Sequence, residues 1–112
     1  MDVEAVVARR LAASTGVPAR LEVPEDSSGE FITVELTRED AGFVSTASLA
    51  VQAWAPTRKR AREIILAAAA AVPDLEDEPG IFHPEVGGCY RFPDPDARRE
   101  RYQATVSLSI CE

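Results

Sequence analysis

The sequence predicts an α+β domain in which two helices pack beside one sheet. The sheet is expected to be mainly antiparallel, and a mixed sheet is the alternative. Three observations predict this fold class. Between Leu49 and Val72 the hydrophobic period changes from two to 3.6, as in a strand that runs into an amphipathic helix. An earlier stretch near Val3 has the helical period, and the stretch from Tyr102 to Ile110 alternates cleanly. The predicted order is α-β-β-β-α-β-β, in a single domain over residues 1–112.

The first helix is expected to begin after Asp2, an N-cap residue, and to end at Thr15-Gly16, where glycine adopts a left-handed conformation. Its apolar side carries Val3, Val6, Val7 and Leu11. A short half-buried strand should follow, with Ala19, Leu21 and Val23 on its inner side.

The second strand is predicted from Glu30 to Thr37, with Ile32, Val34 and Leu36 pointing inward. The polar stretch Arg38–Gly42 then favours a hairpin tip or a longer arm. Phe43 and Val44 follow it as apolar residues in a region otherwise rich in Ser, Thr and Ala.

The second helix follows the third strand, with Pro56 in its first turn or Thr57 as its N-cap. Its buried side should carry Ala61, Ile64, Ile65, Ala68, Ala69 and Val72. Pro73 should end this helix, and residues 73–80 should form an acidic loop.

The last two strands, Ile81–Phe92 and the stretch from Tyr102 to Ile110, are predicted to form a hairpin across residues 93–100. A bulge is expected near Pro84 and Gly87-Gly88. The expected register places Phe92 opposite Tyr102, Tyr90 opposite Ala104, Val86 opposite Leu108, Cys89 opposite Thr105 and His83 opposite Cys111. In that register Tyr90, Phe92 and Tyr102 share one face of the hairpin. The favoured interpretation is that they form core under a helix, and the less favoured one is that they form an interface. The cysteines should be free thiols.

Charge and composition exclude several classes of protein. The net charge of −7 argues against nonspecific nucleic-acid binding. No apolar run approaches the ~20 residues that span a membrane, and the N-terminus lacks the features of a secretion signal. Synthesis in the cytoplasm is the simplest expectation.

Residues capable of catalysis are few, so we expect neither an enzyme nor a cofactor. His83 is the single histidine in the sequence. We favour its interpretation as a surface residue of the strand over its interpretation as the base of a nucleophile pair with Cys111. Asp94 and Asp96, with Glu85 or Glu100, could hold a hard cation, although turn formation explains them better.

A basic cluster, Arg58, Lys59, Arg60 and Arg62, opposes the dipole at the start of the second helix. It either meets an acidic partner surface or is simply hydrated.

Taken in order, the segments FITVELTRE, SLAVQAWAPTRKRAREI and YRFPDPDARRERYQATVSLSI resemble the tail terminator proteins of long-tailed phages and prophages, the lambda-type tail-completion fold. The resemblance covers nearly the whole chain. Pro84 and the run Gly87–Cys89 depart from the family's pattern.

The resemblance implies a virion structural protein that is synthesised in the cytoplasm of the bacterial host and located in the tail. It implies a ring, six-fold like the tail tube, that caps the tube, stops its polymerisation and offers a surface to the head–tail connector. On this basis Phe43, Val44, Arg58, Lys59, Arg60 and Arg62 are the candidate contacts with neighbouring subunits or with the tube protein. The alternatives are a head-closure or connector component of the same virion and, less favoured, a small-ligand-binding α+β domain.

Overall fold

A computed structural model describes residues 1–24, 29–93 and 99–111 of the chain. The helices are α1 (Val3–Thr15) and α2 (Arg58–Ala71), the latter followed by a 3-10 helix (Val72–Asp77). The strands are β1 (Ala19–Arg20), β2 (Phe31–Asp40), β3 (Ser45–Ala55), β4 (Ile81–Arg91) and β5 (Glu100–Ile110). Within the described ranges the strands form one sheet in the order β1-β2-β3-β5-β4.

The fold class is confirmed as α+β, and the sheet is mixed. β1 pairs parallel to β2, whereas the other neighbouring strands are antiparallel. The parallel pair is short and joins Ala19 to Ile32 and Arg20 to Thr33. The described part of the protein is elongated, with a longest dimension of 43 Å.

The core lies between the helices and one face of the sheet. α1 packs on β2 and α2 packs on β3 and β5. The strand residues that alternate toward the helices are buried, among them Ile32, Val34, Leu49, Val51, Ala104 and Val106. The other face of the sheet carries no helix in the described ranges, and we call it the open face.

Both helices start at the predicted caps. The Asp2 carboxylate accepts a hydrogen bond from the Ala5 N–H at 3.2 Å, and α1 ends at Gly16 with a φ of 75°. Of the two starts considered for α2, the Thr57 cap is the observed one, because the Thr57 hydroxyl accepts from the Arg60 N–H at 3.2 Å.

Two local predictions are wrong. The first strand ends at Arg20, and Leu21 and Val23 are 44% and 48% exposed, because only two residue pairs join β1 to β2. The segment after Pro73 is not simply a loop, because it forms the 3-10 helix, in which Pro73 occupies the first turn and needs no N–H partner. Leu75 of that helix is completely buried.

The predicted hairpin register is also wrong, by one residue beside the turn and by more beyond it. Tyr102 pairs with Arg91, Gln103 with Tyr90, Ala104 with Cys89 and Val106 with Val86. Two register shifts, between Phe82 and Glu85 and between Val86 and Cys89, change the pairing along β4. The expected bulges are therefore present, and they are the reason that one register could not hold for the whole hairpin.

Candidate interaction surfaces

The part of the chain that the structure describes contains few features of a reactive centre. No group of three or more metal-binding side chains occurs there. Cys111 does not face His83, since the Cys111 N–H donates to the Gly80 carbonyl at 2.9 Å. Both thiols are free, as predicted, and burial raises the pKa of the half-buried Cys89. The proposed cation ligands Asp94 and Asp96 lie outside the described residues.

His83 lies at an irregular position of β4, with a φ of 53° that non-glycine residues seldom adopt. It borders a shallow groove of about 230 Å³ on the open face, together with Glu85, Ser107 and Ser109. Among the described residues, none of these four side chains shares a hydrogen bond with another, so the groove does not hold an assembled nucleophile and base.

The basic cluster divides into one paired residue and three free ones. The Arg60 guanidinium donates to both Glu30 carboxylate oxygens, at 2.6 and 2.8 Å, and approaches Glu63 at 3.4 Å. This hydrogen-bonded pair lowers the pKa of Glu30. Arg58, Lys59 and Arg62 are exposed and form no ion pair with a described residue. Of the four residues in the cluster, these three are therefore the ones whose charge no described carboxylate compensates.

Phe43 and Val44 lie in the turn between β2 and β3, residues 41–44. Phe43 is 104% exposed and Val44 is 43% exposed, which is unusual for an aromatic residue beside an aliphatic one. Strand β3 separates this turn from α2, and its 11 residues span ~33 Å at ~3.3 Å per residue. The predicted contact residues therefore form two groups at opposite ends of the sheet.

A third surface lies on the open face near the start of β5, where the sequence analysis favoured a core position for the aromatic residues and considered an interface only as the alternative. Phe31 stacks on Trp54 with ring centroids 5.6 Å apart. The Arg101 guanidinium lies between two rings, 4.8 Å from the Trp54 centroid and 4.3 Å from that of Phe92. Tyr90 and Phe92 are 46% and 43% exposed. A cation and two accessible aromatic rings thus form a continuous patch.

A row of hydrogen-bonded side chains lies beside this patch on the same face of the sheet. The Trp54 indole N–H donates to the Thr33 hydroxyl at 3.1 Å, and that hydroxyl donates to the Gln52 side-chain oxygen. The Gln52 amide donates to Gln103 at 2.7 Å, and the Gln103 amide donates to the Tyr90 hydroxyl at 2.6 Å. The row crosses from β2 to β4, and it holds the Tyr90 ring in a fixed position on the open face.

The two edges of the sheet are poorly suited to strand addition. The two register shifts interrupt β4, and Pro84 there has no N–H to offer. On the β2 edge, the Glu4 carboxylate accepts the Leu36 backbone N–H at 2.7 Å. Contacts with other molecules are therefore expected to use side chains more than added strands.

No family model matches the chain, and no curated protein matches it. The helices of the described residues include none that is long and apolar enough to cross a membrane.

Proposed function

We propose that this protein is a tail terminator of a long-tailed phage or prophage, a structural subunit that acts by contact and not by catalysis. It forms a ring, most simply a hexamer matching the tube, on the head-proximal end of the tail. The ring stops polymerisation of the tube protein and offers its other surface to the head–tail connector. The protein belongs, on this proposal, to the virion tail and needs no cofactor.

The separation of exposed contact groups at opposite ends of one small sheet carries the proposal. Phe43 and Val44 occupy one end, while Arg58, Lys59 and Arg62 occupy the other. Two unlike surfaces on one subunit favour head-to-tail association, which closes into a ring when the rotation between subunits permits. A ring with unlike upper and lower faces can bind the last ring of a tube without extending it. The resemblance of the ordered sequence segments to tail terminators supports the same conclusion.

The basic group is assigned to the tube-facing contact. Its three free cations lie together on the first turn of α2, where the helix dipole disfavours them. A cost of this kind is offset if an acidic surface lies opposite the cations in the assembled tail. Arg60 is excluded from the assignment because its guanidinium is already bound to Glu30.

Deletion of the gene in its phage or prophage, followed by electron microscopy of the tails, tests the proposal. A terminator predicts abnormally long tubes without the protein. Tails of normal length that fail to join heads would contradict the proposal and indicate the connector alternative instead.

Complementation tests the assignment of the basic group. We expect the triple variant R58E/K59E/R62E to leave tubes overlong, because the reversed charges repel the acidic surface of the tube. The matched control is Arg20→Glu, an exposed arginine on the edge strand β1, which should restore normal tails. Normal tails from a folded triple variant would show that these residues do not contact the tube.

A further inference from the structure

The turn between β2 and β3 forms an exposed tip with apolar and anionic side chains. The turn of residues 41–44 presents Phe43 and Val44, and the preceding β2 residue Glu39 has no ion-pair partner among the described residues. This tip therefore combines an exposed aromatic ring, an aliphatic side chain and a free carboxylate.

The patch at the far end of the sheet offers the complementary groups. Tyr90 and Phe92 provide accessible aromatic rings 6.2 Å apart, and Arg101 provides a cation beside them. The Arg101 Nε donates to the Phe92 carbonyl at 2.6 Å, while its remaining N–H groups meet no carboxylate in the described part of the chain. The patch is thus apolar and cationic where the tip is apolar and anionic.

We infer that the tip of one subunit, Phe43 and Val44 with Glu39, docks on the Tyr90–Phe92–Arg101 patch of a second copy of this chain. Within one chain the two surfaces lie at opposite ends of β3, ~33 Å apart, so they cannot meet. Because the surfaces differ, the contact is head-to-tail, and repeated around an axis it closes a ring. The inference rests on the proposed function and specifies how the ring is joined.

The geometry of the patch favours an aromatic guest. Trp54 is almost fully buried beneath Arg101, so an incoming ring would extend an existing stack of Phe31, Trp54, Arg101 and Phe92. Offset and edge-to-face aromatic pairs have centroid separations of about 4.5–7 Å, within reach of a ring placed over Tyr90 or Phe92. A carboxylate beside Arg101 would then lie opposite a cation that meets no carboxylate among the described residues.

Paired cysteines test the contact directly. In a background of Cys89→Ala and Cys111→Ser, the pair Val44→Cys with Tyr90→Cys should form intermolecular disulfides under oxidation. Since a disulfide joins Cα atoms at most about 7 Å apart, this pair cannot close within one chain. At ~1 mM protein, where contacts with a Kd near 1 mM are substantially populated, we expect a ladder of covalent oligomers.

The matched control replaces Tyr90→Cys with Ser107→Cys, on the same open face but outside the patch. Equal cross-linking by the two pairs, or monomer alone from the Val44–Tyr90 pair, would overturn the inference. Overlong tubes after gene deletion together with such a result would leave the proposed function standing and reject only this contact.

Substitution of Phe43 provides a second test that leaves the fold intact, because its side chain is completely exposed. Phe43→Ser should weaken self-association ~30-fold, as for the central residue of an interface, whereas Phe43→Leu should retain most of it. Leu66→Ser, which removes an exposed apolar side chain of α2, is the control and should change nothing. Equal effects of the Phe43 and Leu66 variants on sedimentation would contradict the docking of Phe43.

Discussion

At the scale of single residues, Arg60 differs from the basic side chains beside it. Its two short hydrogen bonds to Glu30 tie the start of α2 to the chain just before β2. From sequence alone Arg60 was grouped with Arg58, Lys59 and Arg62 by proximity. Its partner lies 30 residues away, and nothing in the local pattern indicates it. The structure therefore assigns Arg60 to the fold and leaves the other three for contact.

The Glu30–Arg60 pair makes stability depend on pH in a defined direction. Because the folded pKa of Glu30 is lowered, the pair stabilises the fold above the ordinary glutamate pKa, and this contribution disappears as pH falls through the lowered value. We expect Glu30→Gln to reduce the free energy of unfolding slightly at about pH 7, since solvent screens a partly exposed pair. The difference from wild type should be smaller at about pH 3, because part of the Glu30 population is then protonated.

Urea unfolding of both proteins at the two pH values measures this. Glu35→Gln is the control, because Glu35 is exposed and has no ion-pair partner among the described residues. A difference that persists undiminished in acid would show that the Glu30 charge is not its cause.

At the scale of elements, the 3-10 helix after α2 contributes to the core. Pro73 ends the α-helix as the sequence predicts, but a proline in the first turn does not prevent a 3-10 helix from following. Leu75 is completely buried, although its acidic neighbours make the segment resemble a solvated loop. The helix buries two side chains, Val72 and Leu75, and two positions are too few to give a periodic signal in so short a segment.

Replacement of Leu75 tests this role. We expect Leu75→Ala to lower the free energy of unfolding by about 2–5 kcal/mol, the range for a buried leucine truncated to alanine. Leu66→Ala, also in a helical segment but 43% exposed, should change it by no more than about 0.5 kcal/mol. Chemical denaturation measures both, and similar small losses would place Leu75 outside the core.

The hairpin of β4 and β5 shows which features of the fold could be predicted from the sequence and which could not. The strict alternation from Tyr102 to Ile110 predicted β5 well, because every second side chain packs under the helices. β4 has no comparable period, since Pro84 and the two glycines interrupt it. A shift of one residue moves a side chain to the opposite face. Tyr90 and Phe92 therefore lie on the open face, whereas Tyr102 packs against the core.

That shift explains why an interface was the less favoured interpretation of these aromatic residues. Counting from the turn placed all three rings together, and core packing was then the favoured interpretation. The stack of Arg101 between Trp54 and Phe92 depends on the observed register, in which Phe92 bonds to the backbone of Arg101. By contrast, the exposure of Phe43 followed from its place after a polar turn and could be expected from sequence.

At the scale of the whole molecule, the proposed function rests on the distribution of exposed groups along an elongated subunit. The helices cover one face of the sheet, its edges are interrupted or capped, and the free aromatic and charged groups lie at its two ends. Such a subunit can join copies of itself by unlike surfaces and still keep a distinct surface for the tube. The account requires a closed ring, since an open series of the same contacts would give a filament.

Cryo-electron microscopy of the head-proximal end of isolated tails tests this central claim most directly. The account predicts one ring of this chain at that end, with each subunit's residues 41–44 against the open face of its neighbour. Subunits distributed along the tube, or a tail end without this chain, would contradict it.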